Sequence, residues 1–369
     1  MNERGLTIDS FRTIEDLHLL PYLTKEIIRD NIQDLIATNM NDRPVEFRTS
    51  GSTGKKLVFY GTDDLYKKEA AFILRAFRSH GATMYDKPSV WIRRYVPKNN
   101  NSPLWYYDHE LRRLYMSAYN INSDTIKDYV TEINRKKYHT LVGYPSSIYI
   151  FACMCEESGL YPAGIEAIHV ASEKMLDKWK DKIEEVFGII PKAHYGMQEK
   201  VVLHHQTSHS TAYIENFEYG ITEFDNTEGQ NVIVGTGFLN YYMPFIRYRT
   251  SDVGILNPDG APYRMLDIDG RCDDILVSKN GARLPGVNFY TMMYKIDGVK
   301  MFQIIQKTRE TIEFLLVPNE HYTEETILEI TTGLKQRLGN LDISVQVVEK
   351  IKRSHDTGKI RCIFNECES

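Results

Sequence analysis

The chain has 369 residues, a net charge of −5, and 42% hydrophobic and 26% charged residues. That is the balance of a soluble globular protein with one large or two moderate domains and enough chain to bury a substantial core. It gives no bulk electrostatic reason to expect a nucleic-acid partner. Five cysteines with no CxxC spacing argue against a disulfide framework or a structural zinc and for a reducing compartment.

In chain order, residues 13–37 read as helical, with Ile27, Ile28, Ile32, Leu35 and Ile36 at helical spacing behind a capping Thr24. A glycine-rich loop at 48–56 follows, then the strand KLVFYG and a helix in TDDLYKKEAAFILRAFRSHG that ends at Gly81. SVWIRRYV is expected as a strand, 97–110 as a loop and 123–136 as a helix. YHTLVGYP reads as a buried strand, and the alternation continues with a helix at 146–157, the strand IEAIHVA, a helix at 175–187 and the strand PKAHYG. Such alternation predicts parallel α/β units. After residue 210 the texture becomes that of antiparallel strands and turns. From 273 a small β/α unit is expected: a hairpin turning at Asn280-Gly281, a helix at 286–296, strands VKMFQIIQK and TIEFLLVP, a helix at 323–338 and the strand ISVQVVEK. The longest apolar run, IYIFACMC, is far too short to cross a bilayer. The N-terminus, MNERGLTIDSF, lacks the apolar segment of a secretory signal. The expectation is a cytoplasmic protein with no membrane contact.

Five polar clusters carry the chemistry. The stretch RTSGSTGKK supplies Ser50, Gly51, Ser52, Thr53, Gly54 and Lys55. Its glycines allow close backbone approach, and its hydroxyls and lysine suit a polyphosphate. It does not match the GxxxxGK[ST] phosphate loop. AHYGMQEK closes an apolar strand with Tyr195, Gly196 and Glu199, where an aromatic ring can stack on a base and a carboxylate can hold Mg²⁺. A plain strand-to-helix turn with an exposed Glu is the alternative. PFIRYRTSDVG offers Asp252 as an acceptor for two ribose hydroxyls, with a surface ion pair as its alternative. DGRCDDILVSKNGARLP places Arg271 and Asp273 where the composition shifts, as a hinge or a polar linker. Near the end, RSHDTGKIRC presents Lys359 behind a glycine, as a mobile point charge or as part of a solvated tail.

The succession of these clusters resembles the adenylate-forming (acyl-CoA synthetase) superfamily. The resemblance is greatest to the branch of phenylacetate–CoA ligases, coenzyme F420-adenylating enzymes and capsular-polysaccharide adenylating proteins. LPYLTKEIIRDN, GYPSSI, ASEKM and NYYMPFIRYRTSD add to it, and it covers roughly residues 18–362. It implies an α/β fold with a large N-terminal domain of parallel α/β units plus antiparallel strands (1–271), joined by a hinge to a small, mobile α+β C-terminal domain (272–369). The implied activity is ATP- and Mg²⁺-dependent conversion of a small carboxylic acid to an acyl-adenylate with release of pyrophosphate. Transfer to CoA or to the phosphopantetheine thiol of an acyl carrier protein would follow, as in an AMP-forming acid–thiol ligase.

By motif, Ser50–Lys55 would hold the polyphosphate, Tyr195 and Gly196 the adenine, Glu199 the Mg²⁺, and Asp252 with Arg271 the ribose. Lys359 would reach the α-phosphate and carboxylate oxygens, and Asp273 would sit at the hinge about which KNGARLP swings in for the thiol step. The acyl pocket is expected among 141–149, 169–174 and 194–206, with Tyr144, Ser172, His194 and His204 in it. The chain departs from the family in three places. The segment before the glycine loop is short, Ser251 replaces a usual Gly, and Gln198 stands where Thr is common. His204, His205 and His209 in HHQTSHS are expected to be structural or acyl-pocket residues, with metal binding left open, because no cysteine lies between 156 and 271. Transfer to an amine or another non-thiol acceptor, and a non-catalytic nucleotide-binding homologue, are the alternatives. The acid's identity is not readable, and the oligomeric state, monomer or homodimer, stays open.

Overall fold

The structure, a computed structural model, describes residues 5–49, 57–93, 95–97, 102–227, 229–260, 265–271, 275–354 and 358–367. The helix expected over 13–37 is broken into a 3₁₀ turn, Ile14–Leu19, and the short helix α1 (Lys25–Asp30), and another 3₁₀ turn, Ile8–Ser10, precedes them. Pro21 is the reason: it forces Leu20 into extended backbone, at φ −84° and ψ 145°. The freed chain then pairs elsewhere. Leu23 bridges to Tyr248, and the carbonyls of His18 and Leu20 accept hydrogen bonds from the Arg247 guanidinium.

The glycine-rich stretch is flanked by a hairpin of β1 (Val45–Arg48) and β2 (Val58–Gly61). Phe47 stacks on Phe59 at 5.2 Å and meets Tyr66 at 5.0 Å. α2 (Leu65–Arg78) leads into β3 (Ser89–Arg93), followed by β4 (Trp105–Asp108), β5 (Arg113–Ser117), α3 (Ile126–Asn134), β6 (Thr140–Gly143), α4 (Pro145–Ser158), β7 (Ala167–Ala171), α5 (Asp177–Phe187) and β8 (Lys192–Gly196). β4 lies inside the stretch expected as loop. It pairs antiparallel with β5, and Tyr106 stacks on Tyr115 at 5.0 Å.

Five neighbouring strands, in the order β5-β3-β6-β7-β8, run parallel. β6 and β7 are buried on both faces, as sandwiched parallel strands must be. The sheet continues antiparallel through β9 (Leu203–Thr207), β10 (Ser210–Glu215), β14 (Met265–Arg271), β13 (Tyr248–Leu256), β12 (Val232–Gly237) and β11 (Gly220–Asp225). One face of the parallel part packs on α2 through Phe77, Trp91, Val142 and Ala167. The larger core includes the residues that α3, α4 and α5 bury.

A second, small unit begins with the hairpin β15 (Ile275–Val277) and β16 (Arg283–Pro285), and its turn includes Asn280 and Gly281 as the sequence predicts. α6 (Val287–Tyr294), β17 (Val299–Gln306), β18 (Thr311–Pro318), α7 (Glu324–Leu338), β19 (Asp342–Val347) and β20 (Ile363–Asn365) follow. Its sheet has the order β19-β18-β17-β20, with β20 added parallel to β17. The molecule is thus α/β in its large part with a small α+β unit after it. Among the described residues, no helix is long and apolar enough to cross a membrane.

Glycines in β11 and β12 shape the ground beneath the site. A Cβ on Gly220 would stand 2.1 Å from the Val201 carbonyl oxygen, and one on Gly237 would stand 2.7 Å from that of Lys200. These strands form a trough for residues 200–202, the segment that leaves Glu199. Backbone cannot yield as a flexible side chain can. Gly220→Ala should therefore cost about 1–3 kcal/mol in chemical denaturation, and a variant as stable as wild type would contradict the trough.

Candidate active site

Ligands of open α/β sheets bind beyond the carboxyl ends of the strands, where strand order reverses. Here β3 connects outward to β5 on one side, and β6, β7 and β8 step away on the other. At that rim Arg93 ends β3, Tyr144 follows β6, Ser172 follows β7 and Tyr195 lies near the end of β8. Ser172 adopts φ 76°, a left-handed conformation that costs about 1–3 kcal/mol for such a residue and recurs at functional sites.

Several of the residues expected to bind nucleotide come together. The Tyr195 hydroxyl donates to Asp252 Oδ2 at 2.8 Å. Asp252 on β13 is paired in register with Arg271 on β14. Gly196 ends β8, exposed and opposite Leu203. Glu199 is buried, and its Oε1 accepts from the Tyr248 hydroxyl at 2.8 Å. The expected phosphate residues Ser50, Gly51, Ser52, Thr53, Gly54 and Lys55 lie outside the described residues, as does Asp273. The flanks of the former are held close: Thr49 N donates to the Leu57 carbonyl at 2.9 Å, and Leu57 N donates to Thr49 Oγ1 at 3.0 Å. Tyr66, packed on that hairpin's Phe47, accepts at its hydroxyl from Gln198 Nε2 at 3.2 Å.

Lys200 was not singled out in the sequence. It sits at φ 57°, almost wholly buried, with Nζ 2.6 Å from Glu69 Oε2. This ion pair clamps the Tyr195–Glu199 turn onto α2. Glu69 is hidden in an ordinary helical charge pattern, so only the tertiary contact reveals it.

The arginines of FIRYRTSD divide from its aspartate. Arg247 grips Glu223 through Nε, at 3.1 Å to both carboxylate oxygens, and Arg249 pairs with Asp225 at 2.7 Å. Of the HHQTSHS histidines, His204 bonds Thr222 Oγ1 at 2.8 Å, His205 accepts from Asn216 Nδ2 at 3.0 Å, and His209 is exposed. No group of three metal-ligating side chains occurs among the described residues.

The C-terminal GK stretch is docked on the large sheet by a carboxylate the sequence did not flag. Glu173, directly after Ser172, accepts from Ser146 N at the start of α4 at 3.1 Å and from Ile360 N at 2.8 Å. Arg353 completes the joint, donating to Ser146 Oγ at 3.1 Å and to the Gly358 carbonyl at 3.0 Å. Gly358, at φ 72°, makes the turn that presents Lys359 next to Ile360. A carboxylate on a helix N-terminus is doubly favoured, by exposed N–H groups and by the helix dipole. Further polar contacts join the units, beside an apolar cluster that runs through both. Tyr149 donates to the Lys300 carbonyl at 2.8 Å, Tyr294 donates to Asp181 at 2.9 Å, and Lys300 pairs with Glu157. A cleft of about 290 Å³ remains between them, walled by Lys178, Asp267, Tyr290 and Phe302 among others.

His194 ends a row of three histidines. His80 Nε2 lies 2.8 Å from His169 Nδ1, and His169 Nε2 lies 2.7 Å from His194 Nδ1. Burial pushes His80 down to about 4, His194 down to about 3 and His169 well below the ordinary value. The row is therefore neutral near pH 7.

The C-terminal part of the chain, residues 276–366, matches the family model of the CapK C-terminal domain. Protein CapK of Staphylococcus aureus is 27% identical over 366 residues, covering 96% of this chain and 81% of that protein. Phenylacetate-coenzyme A ligase of Thermus thermophilus is 22% identical over 382 residues, with the same coverage of 96% and 81%. The chain is a homologue of CapK and phenylacetate–CoA ligase. Its fold is that of the acyl-CoA ligases of the adenylate-forming superfamily. A 2-hydroxyisobutyryl-CoA ligase in its postadenylation state, in complex with R3-HIB-AMP, superposes with a TM-score of 0.72 at 18% identity, covering 100% of this chain and 84% of that one. The same ligase in its thioesterification state, with 2-HIB-AMP and CoA, gives 0.58 at 19% identity and the same coverage of 100% and 84%.

Two outcomes follow from this geometry. Glu173→Gln replaces one acceptor oxygen with a donor facing an N–H group. The 353–360 loop should then be cut by trypsin at least about 10-fold faster, as expected for the loss of a charge-assisted hydrogen bond; an unchanged rate would contradict the docking. The histidine row has depressed folded-state values, so below the unfolded value of 6.5 the unfolded chain binds protons first. Its contribution to stability is complete above pH 6.5 and is lost as pH falls toward about 4 and about 3. Melting temperature should fall across that window, less steeply in His80→Gln. Equal slopes would contradict the assignment.

Proposed function

We propose that this protein activates a carboxylic acid with ATP, forming an acyl-adenylate and pyrophosphate, and passes the acyl group to CoA or to a carrier-bound phosphopantetheine thiol. The docking of Ile360 on Glu173, with Arg353 beside it, carries the reading. It sets Lys359 beside the end of β7, whose Ala171 lies opposite His194 on β8. One residue further along β8 stands Tyr195, bonded to Asp252. A cation and a nucleoside-binding pair thus share one rim.

In this mechanism Asp252 accepts the ribose hydroxyls, assisted by Arg271. Tyr195 and Gly196 hold the adenine, and the Ser50–Lys55 stretch holds the β- and γ-phosphates. Glu199 suits a divalent cation. One carboxylate oxygen is taken by Tyr248, and the other accepts no hydrogen bond from the described residues. Mg²⁺ is commonly held by one carboxylate together with substrate phosphates; bound there, it would neutralise phosphate charge. A carboxylate oxygen of the substrate attacks the α-phosphorus, the bond to the bridging oxygen breaks, and pyrophosphate leaves. Lys359 stabilises the negative charge gathering on the α-phosphate oxygens, and the two anions gain from being held together.

The second step would require the small unit to turn about the Asp273 region, at the junction of domains 1–271 and 272–369. Two observations support that reading. The units are joined in part by polar contacts, such as Tyr149 with Lys300 and Tyr294 with Asp181, of the kind found between domains that move. The turn at 279–282 is exposed in the present arrangement, free to be presented elsewhere. The higher similarity to a postadenylation state than to a thioesterification state supports assigning this arrangement to the first step.

Carboxylate-dependent exchange of labelled pyrophosphate into ATP, over a panel of acids, is the direct test. At least one acid should support exchange, and Lys359→Ala should lower it about 10²–10³-fold without loss of fold. Thioester formation from a preformed adenylate should be far less affected. Exchange in Lys359→Ala at the wild-type rate would overturn its role, and ATP binding with no exchange for any acid would overturn the enzyme.

A further inference from the structure

Arg93 occupies the point where the strand order reverses, at the carboxyl end of β3 beside Tyr144. Its guanidinium carbon lies 5.2 Å from the Trp91 ring and 5.2 Å from the Tyr144 ring. Its Nε is buried and has no hydrogen-bond partner. Among the described residues no carboxylate forms an ion pair with it. Burial opposes its charge, and the Tyr144 hydroxyl is its nearest polar support; Glu173 is the one carboxylate whose field reaches it, yet both oxygens of Glu173 are taken by Ser146 N and Ile360 N. An arginine stays protonated, and a buried cation without a counter-ion is costly.

Among the described residues, the surroundings are polar but supply no further carboxylate. His194, whose ionisation the Arg93 charge opposes, is held in one ring orientation by its bond to His169, which is itself stacked on Phe77 at 3.9 Å between centroids. That bond uses His194 Nδ1, so Nε2 is the end of the row that can meet a ligand. The rim thus holds a guanidinium fork beside the Trp91 and Tyr144 rings and an oriented neutral imidazole, and among the described residues no carboxylate pairs with the guanidinium.

We propose, on top of the adenylation reading, that Arg93 and His194 receive a second anionic group on the acid substrate, so that dicarboxylates are preferred to monocarboxylates. The fork of Arg93 matches a carboxylate bidentately, and the neutral imidazole adds one hydrogen bond. The reacting carboxylate is then the end directed at Lys359. A monoacid of equal length leaves the guanidinium desolvated and without an anionic partner. That is how a polar site rejects an analogue lacking the group it was built for.

The test compares α,ω-dicarboxylates with n-alkanoates of matched length, in pyrophosphate exchange and in calorimetric binding without ATP, for wild type, Arg93→Met and Arg93→Lys. Wild-type kcat/KM should favour the best diacid over its matched monoacid by about 10–100-fold, the worth of one or more hydrogen bonds to a charged group. Arg93→Met should bring the ratio near one, chiefly through the KM of the diacid. Arg93→Lys, which keeps the charge and loses the fork, should fall between. A wild type that prefers monoacids, or an Arg93→Met that lowers both classes equally, would overturn the proposal. The two readings fail separately. Diacid binding by calorimetry that is lost in Arg93→Met, without exchange for any acid, would leave the anion site standing and remove the adenylation reading. Exchange with monoacids alone would do the reverse.

Discussion

One carboxylate holds the two units in register. Glu173 bonds the first turn of α4 and the backbone of Ile360 at once, so the large sheet, the helix behind it and the C-terminal loop share a single anion. Each partner is a backbone N–H that would otherwise be unpaired, and hydrogen bonds to a charged acceptor are among the stronger ones. Other contacts between the units include scattered polar pairs such as Tyr149 with Lys300 and Tyr294 with Asp181. A joint built this way is specific without being permanent. That suits a proposed cycle in which Lys359 is delivered for one step and withdrawn for the next.

The rim around that joint is held under local strain by packing elsewhere. Ser172 and Lys200 both take left-handed backbone, one just before Glu173 and the other just after Glu199. Each is fixed by its surroundings: the Glu173 bonds on one side, and on the other the Lys200–Glu69 ion pair above the glycine trough of β11 and β12. Such conformations persist only where neighbouring contacts over-determine them. The two carboxylates are thereby aimed from turns whose positions belong to the core.

The sequence revealed most of this where the signal was local. Helical period and caps located α2, α4, α5 and α7, and the Asn280-Gly281 pair located the β15–β16 turn, because those elements are specified by neighbours in sequence. The order of the motifs proposed Tyr195, Glu199, Asp252 and Lys359 as site residues, and the fold brings two of them, Tyr195 and Asp252, into contact. What escaped was tertiary. The 13–37 helix failed because Pro21 frees a stretch that Arg247 then captures. β4 was hidden because its strand character depends on pairing with β5. Glu173, Arg353, Lys200 and Arg93 are charged residues in ordinary-looking context. Only their partners, or in the case of Arg93 Nε the want of one, distinguish them from surface polarity.

Single-turnover kinetics of Glu173→Gln test the joint most directly, with acyl-adenylate formation and acyl transfer from a preformed adenylate timed separately. Docking through Glu173 predicts that the first rate falls about 10–100-fold, the worth of the charge-assisted bonds lost, while the second stays within a few-fold of wild type. Unchanged adenylate formation, or an equal fall in both rates, would contradict the claim that this carboxylate brings Lys359 to the adenylation site.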